Sequence, residues 1–327
     1  MRAIVITRPG AAEVLEQHER PVPEPGLGQV RVRIRASALN RADIHQRQGN
    51  YPAPLGASPD IPGLEYSGEV DALGAGALLW QVGDRVMGIT GGGAHAEYLC
   101  VHEREVMPMP RRFAFVDAAG IPEAFLTAYD ALFRQLEVRI GERVLIHAVA
   151  SGVGTAALQL ATHAGATVIG TSRSADKLAR MRDLGLQHGV HASTDEWPAH
   201  VESCVGKNGV HAIVDLVGGP YLAGNMRVLA LRGRLILVGL TAGRTAPLDM
   251  GVMLGKRLHL MGTMLRSRPV EEKITLAREF SERIVPLFDS EQLRPIVDRV
   301  FSFTDIRAAH DLMESNATLG KIVLQWD

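Results

Sequence analysis

The sequence predicts an α/β protein in which a doubly wound parallel sheet is joined to a β-rich domain. Three observations predict it. The stretch ERVLIHAVASGVGTAALQLATHAG (142–165) reads as a buried strand, a tight glycine turn and a helix. Three further apolar runs follow it, ATVIG (166–170), AIVDLV (212–217) and RLILVG (234–239), with helical patterns between them. Strands that alternate with helices imply a parallel sheet with a ligand crevice at the carboxyl ends of its strands. Residues 1–118, by contrast, repeat with the period of two that marks half-buried strands, broken by Gly and Pro turns.

Taken in order, the short apolar run RAIVIT (2–7) is a strand stopped by Arg8, Pro9 and Gly10. In QVRVRIR (29–35), Val30, Val32 and Ile34 share one face and the arginines the other. No aromatic residues are interleaved with those arginines, so this is a wet face and not a nucleic-acid stripe. Asp43 to Gln48 is a short helix candidate, and Gly49 to Pro52 a turn. Tyr51 beside Pro52 is either exposed by accident or a lid over a flat ligand. GEVDALG (68–74), DRVMGI (84–89) and the approach from Gly91 to Val101 supply further strands. From Asp117 the pattern turns helical, through EAFLTAYDALF (123–133), as a bridge between domains. The parallel-sheet domain then spans 119–263. Segment 269–288 is a helix with Ile274, Ala277, Phe280 and Ile284 on one face, 295–303 and 320–325 are strands, and 304–314 is a helix. That β-like return suggests that 264–327 completes the first domain.

The chemistry begins at the glycine turn, whose spacing is A-x-x-S-x-x-G, with Ala148, Ser151 and Gly154 at the three positions. A helix N-terminus offers unpaired N–H groups and about half a positive charge, and glycine lets a pyrophosphate approach the backbone. Ser151, Gly152, Val153 and Gly154 are therefore the candidate pyrophosphate holders. Binders of NAD tend to place an acid at the end of the second strand, roughly 20 residues on, to hold the ribose 2′-OH. Here the order is Gly170, Thr171, Ser172, Arg173, Ser174 and then Lys177, with no acid before Asp176. Hydroxyls and cations suit a 2′-phosphate, so Ser172, Arg173 and Lys177 predict NADP(H). Gly218, Gly239 and Leu240 follow later strands and line the same crevice.

The composition narrows the field. A chain of 327 residues suggests two domains, and 46% hydrophobic content is ordinary for a globular protein. A net charge of −1 gives no electrostatic reason to bind nucleic acid or an anionic membrane. Cys100 and Cys204 alone build no disulfide framework, which points to a reducing, cytoplasmic setting. No apolar run of about 18 residues is present, so no membrane span is expected.

The segments SALNRAD (37–43), RQGNY (47–51), GLE (63–65), GGG (91–93), IPEA (121–124), SGVGTAA (151–157), LRSR (265–268) and GKIVL (320–324) together resemble a family. It is that of the zinc-independent, zeta-crystallin-like quinone oxidoreductases of the medium-chain dehydrogenase/reductase superfamily. The pattern is most similar to the tumour-suppressor-inducible subgroup, which shares Ser151 where other members carry glycine. The resemblance implies a GroES-like catalytic domain plus a Rossmann domain, NADPH, and a homodimer formed through Rossmann-sheet edges. Zinc-dependent relatives hold a catalytic metal at positions that look like Asn40, Leu64 and Ala124 here, and none of these replaces a thiolate or imidazole ligand. His45, His95 and His147 are expected to be packed or exposed residues and not ligands.

The resemblance places Asn40 and Thr127 near the nicotinamide and substrate, Tyr51 on the aromatic side of the cleft, and Lys321 at the cofactor. Asn40 alternatively caps a turn, Thr127 bonds its own helix backbone, and Lys321 is simply exposed. Relatives carry a Tyr after the third strand, near the adenosine; His191 occupies that place. Without a Lewis acid the substrate must already be electron-poor, which selects quinones and α,β-unsaturated carbonyls. Orientation against the cofactor then carries the rate. The expected activity is an NADPH-dependent quinone reductase. The alternatives are an enone or enoyl-thioester reductase, with Tyr51 as proton donor, and a low-turnover NADPH-binding redox-sensing or crystallin-like protein.

Overall fold

A computed structural model describes residues 1–326. The chain divides into two units, Met1–Leu126 with the chain from Leu265 onward, and Thr127–Met264.

In the first unit β1 (Arg2–Ile6) pairs antiparallel with β2 (Leu15–Glu19). The sheet that follows is built on β3 (Gln29–Ala38), with β4 (Glu65–Leu73), β5 (Arg85–Ile89), β6 (Tyr98–His102) and β7 (Met107–Pro108). Strand β3 pairs antiparallel with both β4 and β6. Its period of two has the packing consequence read from the sequence: Val30, Val32 and Ile34 are buried in the core with Tyr66 and Val86. On the other face Arg31 pairs with Asp71 at 2.6 Å and Arg35 with Glu69 at 2.6 Å, so the arginines meet acids of β4. Helix α1 (Arg41–Arg47) enters after Asn40, two residues earlier than the apolar pattern implies. The Asp43 carboxylate accepts from the Asn40 backbone N–H at 2.7 Å and sets that start. Helices α2 (Phe115–Ala118) and α3 (Pro122–Tyr129) follow, and α3 runs on into a π-helical turn over Asp130–Gln135.

The second unit holds β8 (Arg143–Ile146), α4 (Gly152–His163), β9 (Thr167–Ser172), α5 (Ala175–Met181), β10 (His188–His191) and α6 (Trp197–Val205). It continues through β11 (Val210–Asp215), α7 (Tyr221–Val228), β12 (Leu229–Leu237), α8 (Met250–Lys256) and β13 (His259–Gly262). The six strands are parallel in the order β10-β9-β8-β11-β12-β13, the doubly wound arrangement that the alternating pattern predicts. The order reverses between β8 and β11, which places the ligand crevice at their carboxyl ends. Strand β12 starts at Leu229, well before Arg234, and its pairing with β11 shifts register across the stretch in which Arg232 takes a left-handed φ of 59°.

Back in the first unit, α9 (Val270–Arg283) and α10 (Val285–Asp289) replace the single helix expected over 269–288. Pro286 has no N–H to donate, so a new helix starts near it. Strand β14 (Val297–Ser302), α11 (Ile306–Glu314) and β15 (Lys321–Gln325) complete the unit. Strand β15 pairs antiparallel with β3, Val323 opposite Ala38, so the C-terminal strand shares a sheet with the N-terminal ones. Phe303 stacks on Trp326 at 4.6 Å beneath it.

Candidate functional site

In the second unit the turn after β8 is shaped by backbone contacts that only small residues permit. Ala148 sits in the left-handed region at φ 48°. The Ser151 N–H donates to the Ala148 carbonyl at 2.9 Å, and the Ser151 Oγ caps α4 by accepting from the Gly154 N–H at 3.1 Å. A Cβ on Gly154 would lie 2.4 Å from the Ala148 carbonyl oxygen, so the third motif position must be glycine. The Gly152 and Val153 N–H groups belong to the first helical turn, which lacks intrahelical partners. The residues therefore fit a pyrophosphate, whose negative charge the helix end favours.

At the end of β9, Ser172 Oγ accepts from the Ser174 N–H at 3.2 Å and Ser174 Oγ caps α5 through the Lys177 N–H at 3.3 Å. Arg173 is exposed, Lys177 half-buried and Asp176 exposed. Gly218, at φ 67°, follows β11 and forms a bridge to Gly243. Gly239 follows β12 close to the Leu216 carbonyl, and Leu240 is 45% exposed beside Gly218.

Sequence reasoning missed the buried polar chain beneath this crevice. Asp215, at the end of β11, accepts from the Val217 and Gly218 N–H groups at 2.7 and 2.9 Å and from Asn225 Nδ2 at 2.8 Å. Asn225 Oδ1 lies 2.6 Å from His147 Nε2, and His147 Nδ1 lies 2.8 Å from Thr171 Oγ1. Since Asn225 donates to Asp215, its oxygen accepts, which assigns the His147 proton to Nε2. Burial holds the His147 pKa below its ordinary value against the pull of Asp215 and Asn225. The one sequence signal was an acid ending the apolar run AIV (212–214); Asn225 gave none.

The first unit gathers a charged cluster around Asn40. Lys321 Nζ pairs with Glu65 at 2.6 Å and donates to Asn40 Oδ1 and the Leu39 carbonyl, each at 2.7 Å. Asn40 Nδ2 donates to Glu65 at 3.0 Å, and the other Glu65 oxygen accepts from the Glu123 N–H at 2.8 Å. Lys321, expected at the cofactor, is placed within this cluster. It is 4% exposed and its three donors are spent on Leu39, Asn40 and Glu65, so what it orients is the Asn40 amide. Burial raises the pKa of Glu65 despite Lys321, and that of Asp43 despite its bonds from the Asn40 and Gly63 N–H groups. Glu123 keeps part of its surface exposed, yet burial of its carboxyl, and then the Glu65 charge, pushes its pKa up to about 8.

Tyr51 lies under Arg266, whose guanidinium carbon is 4.8 Å from the ring centroid. Arg266 is fixed by the Gly91 carbonyl at 2.8 Å, the Tyr51 carbonyl at 3.1 Å and Gln46 Oε1 at 2.5 Å. Burial raises the Tyr51 pKa, and among the described residues no hydrogen bond engages its hydroxyl. Thr127 is buried in α3, within the second unit. Leu64 and Ala124 are buried and apolar, at 2% and 1% exposure. Among the described residues no three His, Cys, Asp or Glu side chains form a group able to hold a metal ion. His95 is fully buried, bonded to Ser37 Oγ at 3.0 Å, and burial pushes its pKa down to about 3; His45 is exposed. His191 is exposed, its Nε2 3.0 Å from the Arg173 carbonyl. No helix of the described residues is long and apolar enough to cross a membrane.

Comparison with known proteins agrees with this architecture. Residues 26–111 match the alcohol dehydrogenase GroES-like domain family and residues 152–282 the zinc-binding dehydrogenase family. The chain is 30% identical over 341 residues to the synaptic vesicle membrane protein VAT-1 homolog of Mus musculus, covering 99% of this chain and 83% of that protein. It is 28% identical over 332 residues to the quinone oxidoreductase of Rattus norvegicus, covering 99% and 97%. Among solved structures it is similar to an NAD-dependent alcohol dehydrogenase (TM-score 0.88, 32% identity, both chains covered fully). It is also similar to a mycobacterial protein complexed with NADPH (TM-score 0.88, 31% identity, both covered fully) and to the JamJ enoyl reductase (TM-score 0.89, 28% identity, 99% of each chain). A GroES-like domain, a parallel-sheet Rossmann domain and relatives of this similarity over the full chain make the protein a member of the medium-chain dehydrogenase/reductase superfamily of oxidoreductases.

Proposed function

We propose that the protein is an NADPH-dependent reductase of quinones and related electron-poor enones, working without a metal, within the zeta-crystallin-like group and its tumour-suppressor-inducible subgroup. The observation that carries this reading is the donor set at positions 40, 64 and 124, an amide and two buried apolar side chains. Such a set supports chemistry on acceptors that need no Lewis acid.

NADPH, when bound, supplies a hydride. Ser151, Gly152, Val153 and Gly154 hold its pyrophosphate, Ser172, Arg173 and Lys177 its 2′-phosphate, and Gly218, Gly239 and Leu240 line its bed. Asn40, whose amide is oriented by Lys321 and Glu65, and Thr127 orient the reacting end. Tyr51, held under Arg266, forms a flat aromatic wall that excludes water. Holding reactants in register in this way contributes roughly 7–11 kcal/mol in favourable cases. The substrate is a small molecule, and two copies pair through β13, an edge strand of the six-stranded sheet. The absence of an acid before Asp176 favours NADPH over NADH.

A second reading, reduction of enoyl thioesters, is favoured by the Tyr51 hydroxyl, which has no hydrogen-bond partner among the described residues and so is free to act as a proton donor. NADPH oxidation with 1,2-naphthoquinone, 9,10-phenanthrenequinone and crotonyl thioesters separates the two. The quinone reading predicts kcat/KM for the quinones at least about tenfold above that for the thioesters, a difference of about 1.4 kcal/mol in transition-state binding. The reverse order contradicts it.

A further inference from the structure

We infer that His147 is a positioning residue for the dinucleotide bed: as the neutral imidazole protonated at Nε2, it ties the glycine turn after β11 to the end of β9. The inference rests on the NADPH reading above and deepens it.

His147 stands between β8 and Ala148, whose left-handed backbone opens the turn into α4. Its N–H donates to the Val214 carbonyl of β11 at 3.1 Å, so its backbone is fixed to the neighbouring strand. Its side chain is fully buried. The rings of Trp197 and Tyr221 meet it edge-on, each with centroids 4.8 Å away, and keep it from swinging aside. Both ring nitrogens are engaged, Nδ1 by the Thr171 hydroxyl at 2.8 Å and Nε2 by Asn225 Oδ1 at 2.6 Å.

These bonds form a relay with one direction. The Asp215 carboxylate accepts throughout, Oδ1 from the Val217 and Gly218 N–H groups and Oδ2 from Asn225 Nδ2. Asn225 Oδ1 therefore accepts from His147 Nε2–H, which leaves Nδ1 to accept from the Thr171 hydroxyl. Every donor points towards the Asp215 charge, and each bond polarises the next. Burial disfavours the imidazolium and so preserves this direction at neutral pH.

At one end of the relay lie Gly218 and Gly219, at φ 67° and 51°. Two consecutive left-handed glycines have little conformational preference of their own. The bonds from Val217 and Gly218 to Asp215 hold the turn in place. At the other end Thr171 precedes Ser172 and Arg173, the residues proposed for the 2′-phosphate. His147 itself leads into the phosphate turn. One side chain thus sets three segments of the bed in register before a ligand arrives, and binding does not have to order them.

The test is calorimetric titration of NADPH, without substrate, into the wild-type protein, His147→Phe and His147→Gln. His147→Phe keeps a ring against Trp197 and Tyr221 but has no polar atom to offer. His147→Gln gives up the ring and keeps an N–H donor able to reach Asn225. His147→Phe is expected to weaken NADPH by about tenfold, as for loss of one buried hydrogen bond, and His147→Gln by no more than about threefold. Amide exchange at Val217 and Gly218 is expected to quicken in His147→Phe and to stay at the wild-type rate in His147→Gln. A role in packing alone ranks the variants the other way. His147→Phe that binds NADPH as tightly as wild type, or His147→Gln that binds no better than His147→Phe, overturns the inference and leaves the NADPH reading intact. A wild-type protein that does not bind NADPH overturns that reading and the inference with it. Nitrogen-15 spectra of the wild-type histidines at neutral pH test the relay without any variant. A His147 ring protonated at Nε2 alone supports it, and a ring protonated at Nδ1 or at both nitrogens overturns it.

Discussion

At the scale of single residues, the first unit concentrates charge that burial makes expensive. Glu65 and Lys321 are almost wholly buried, and they are tolerated because every polar atom between them has a partner. Glu123 is the residue left protonated. Its pKa of about 8 stands well above the ordinary 4.5. Between those two values the folded chain holds a proton that the unfolded chain releases, so its contribution to stability falls as pH rises from about 4.5 to about 8 and is flat above. Glu123→Gln keeps the shape of the neutral acid and removes that loss. It should stabilise the protein at pH 9 relative to wild type by at least about 1–2 kcal/mol, with a smaller difference at pH 5, read from urea midpoints. An equal effect at both pH values contradicts the assignment.

At the scale of elements, the turn between β8 and α4 joins motif to fold most tightly. Gly154→Ala puts a methyl group 2.4 Å from a backbone carbonyl that cannot move aside. We expect a loss of about 2–3 kcal/mol in stability and weaker NADPH binding, whereas Ser151→Ala should cost about 1 kcal/mol through the lost cap. Denaturant unfolding and dinucleotide titration of both variants check this, and an innocuous Gly154→Ala contradicts the turn geometry. These features were legible because they are local: a strand run, a small-residue turn and a helix stripe lie within 24 consecutive residues, 142–165. Strands β3, β8, β9 and β11 were legible for the same reason. The break between α9 and α10 could also be read, since Pro286 marks it, but the apolar stripe across Ile284 hid it. Strand β13 and the polar chain from Thr171 to Asp215 were not legible. HLMG (259–262) is too short to show a period, and the chain links residues from 147 to 225 that only the sheet order brings together. The partner of Lys321 was hidden for a related reason. The lysine's motif pointed to the cofactor, and nothing in the sequence showed that Glu65, 256 positions away, would take its charge.

At the scale of the whole molecule, the family supplies two folds and this chain supplies the choice of chemistry. The GroES-like unit carries an amide at Asn40, buried apolar side chains at Leu64 and Ala124, and an internal ammonium–carboxylate pair between Lys321 and Glu65. The parallel-sheet unit offers hydroxyls and cations at the end of β9. The account therefore stands on reduction of an electron-poor acceptor by NADPH with no metal taking part. The most direct measurement is the kcat/KM for NADPH-dependent reduction of 1,2-naphthoquinone, before and after exhaustive chelation, with metal content determined on the same sample. The account predicts an unchanged kcat/KM in protein that carries no stoichiometric metal. Activity that disappears on chelation and returns with added zinc would contradict it.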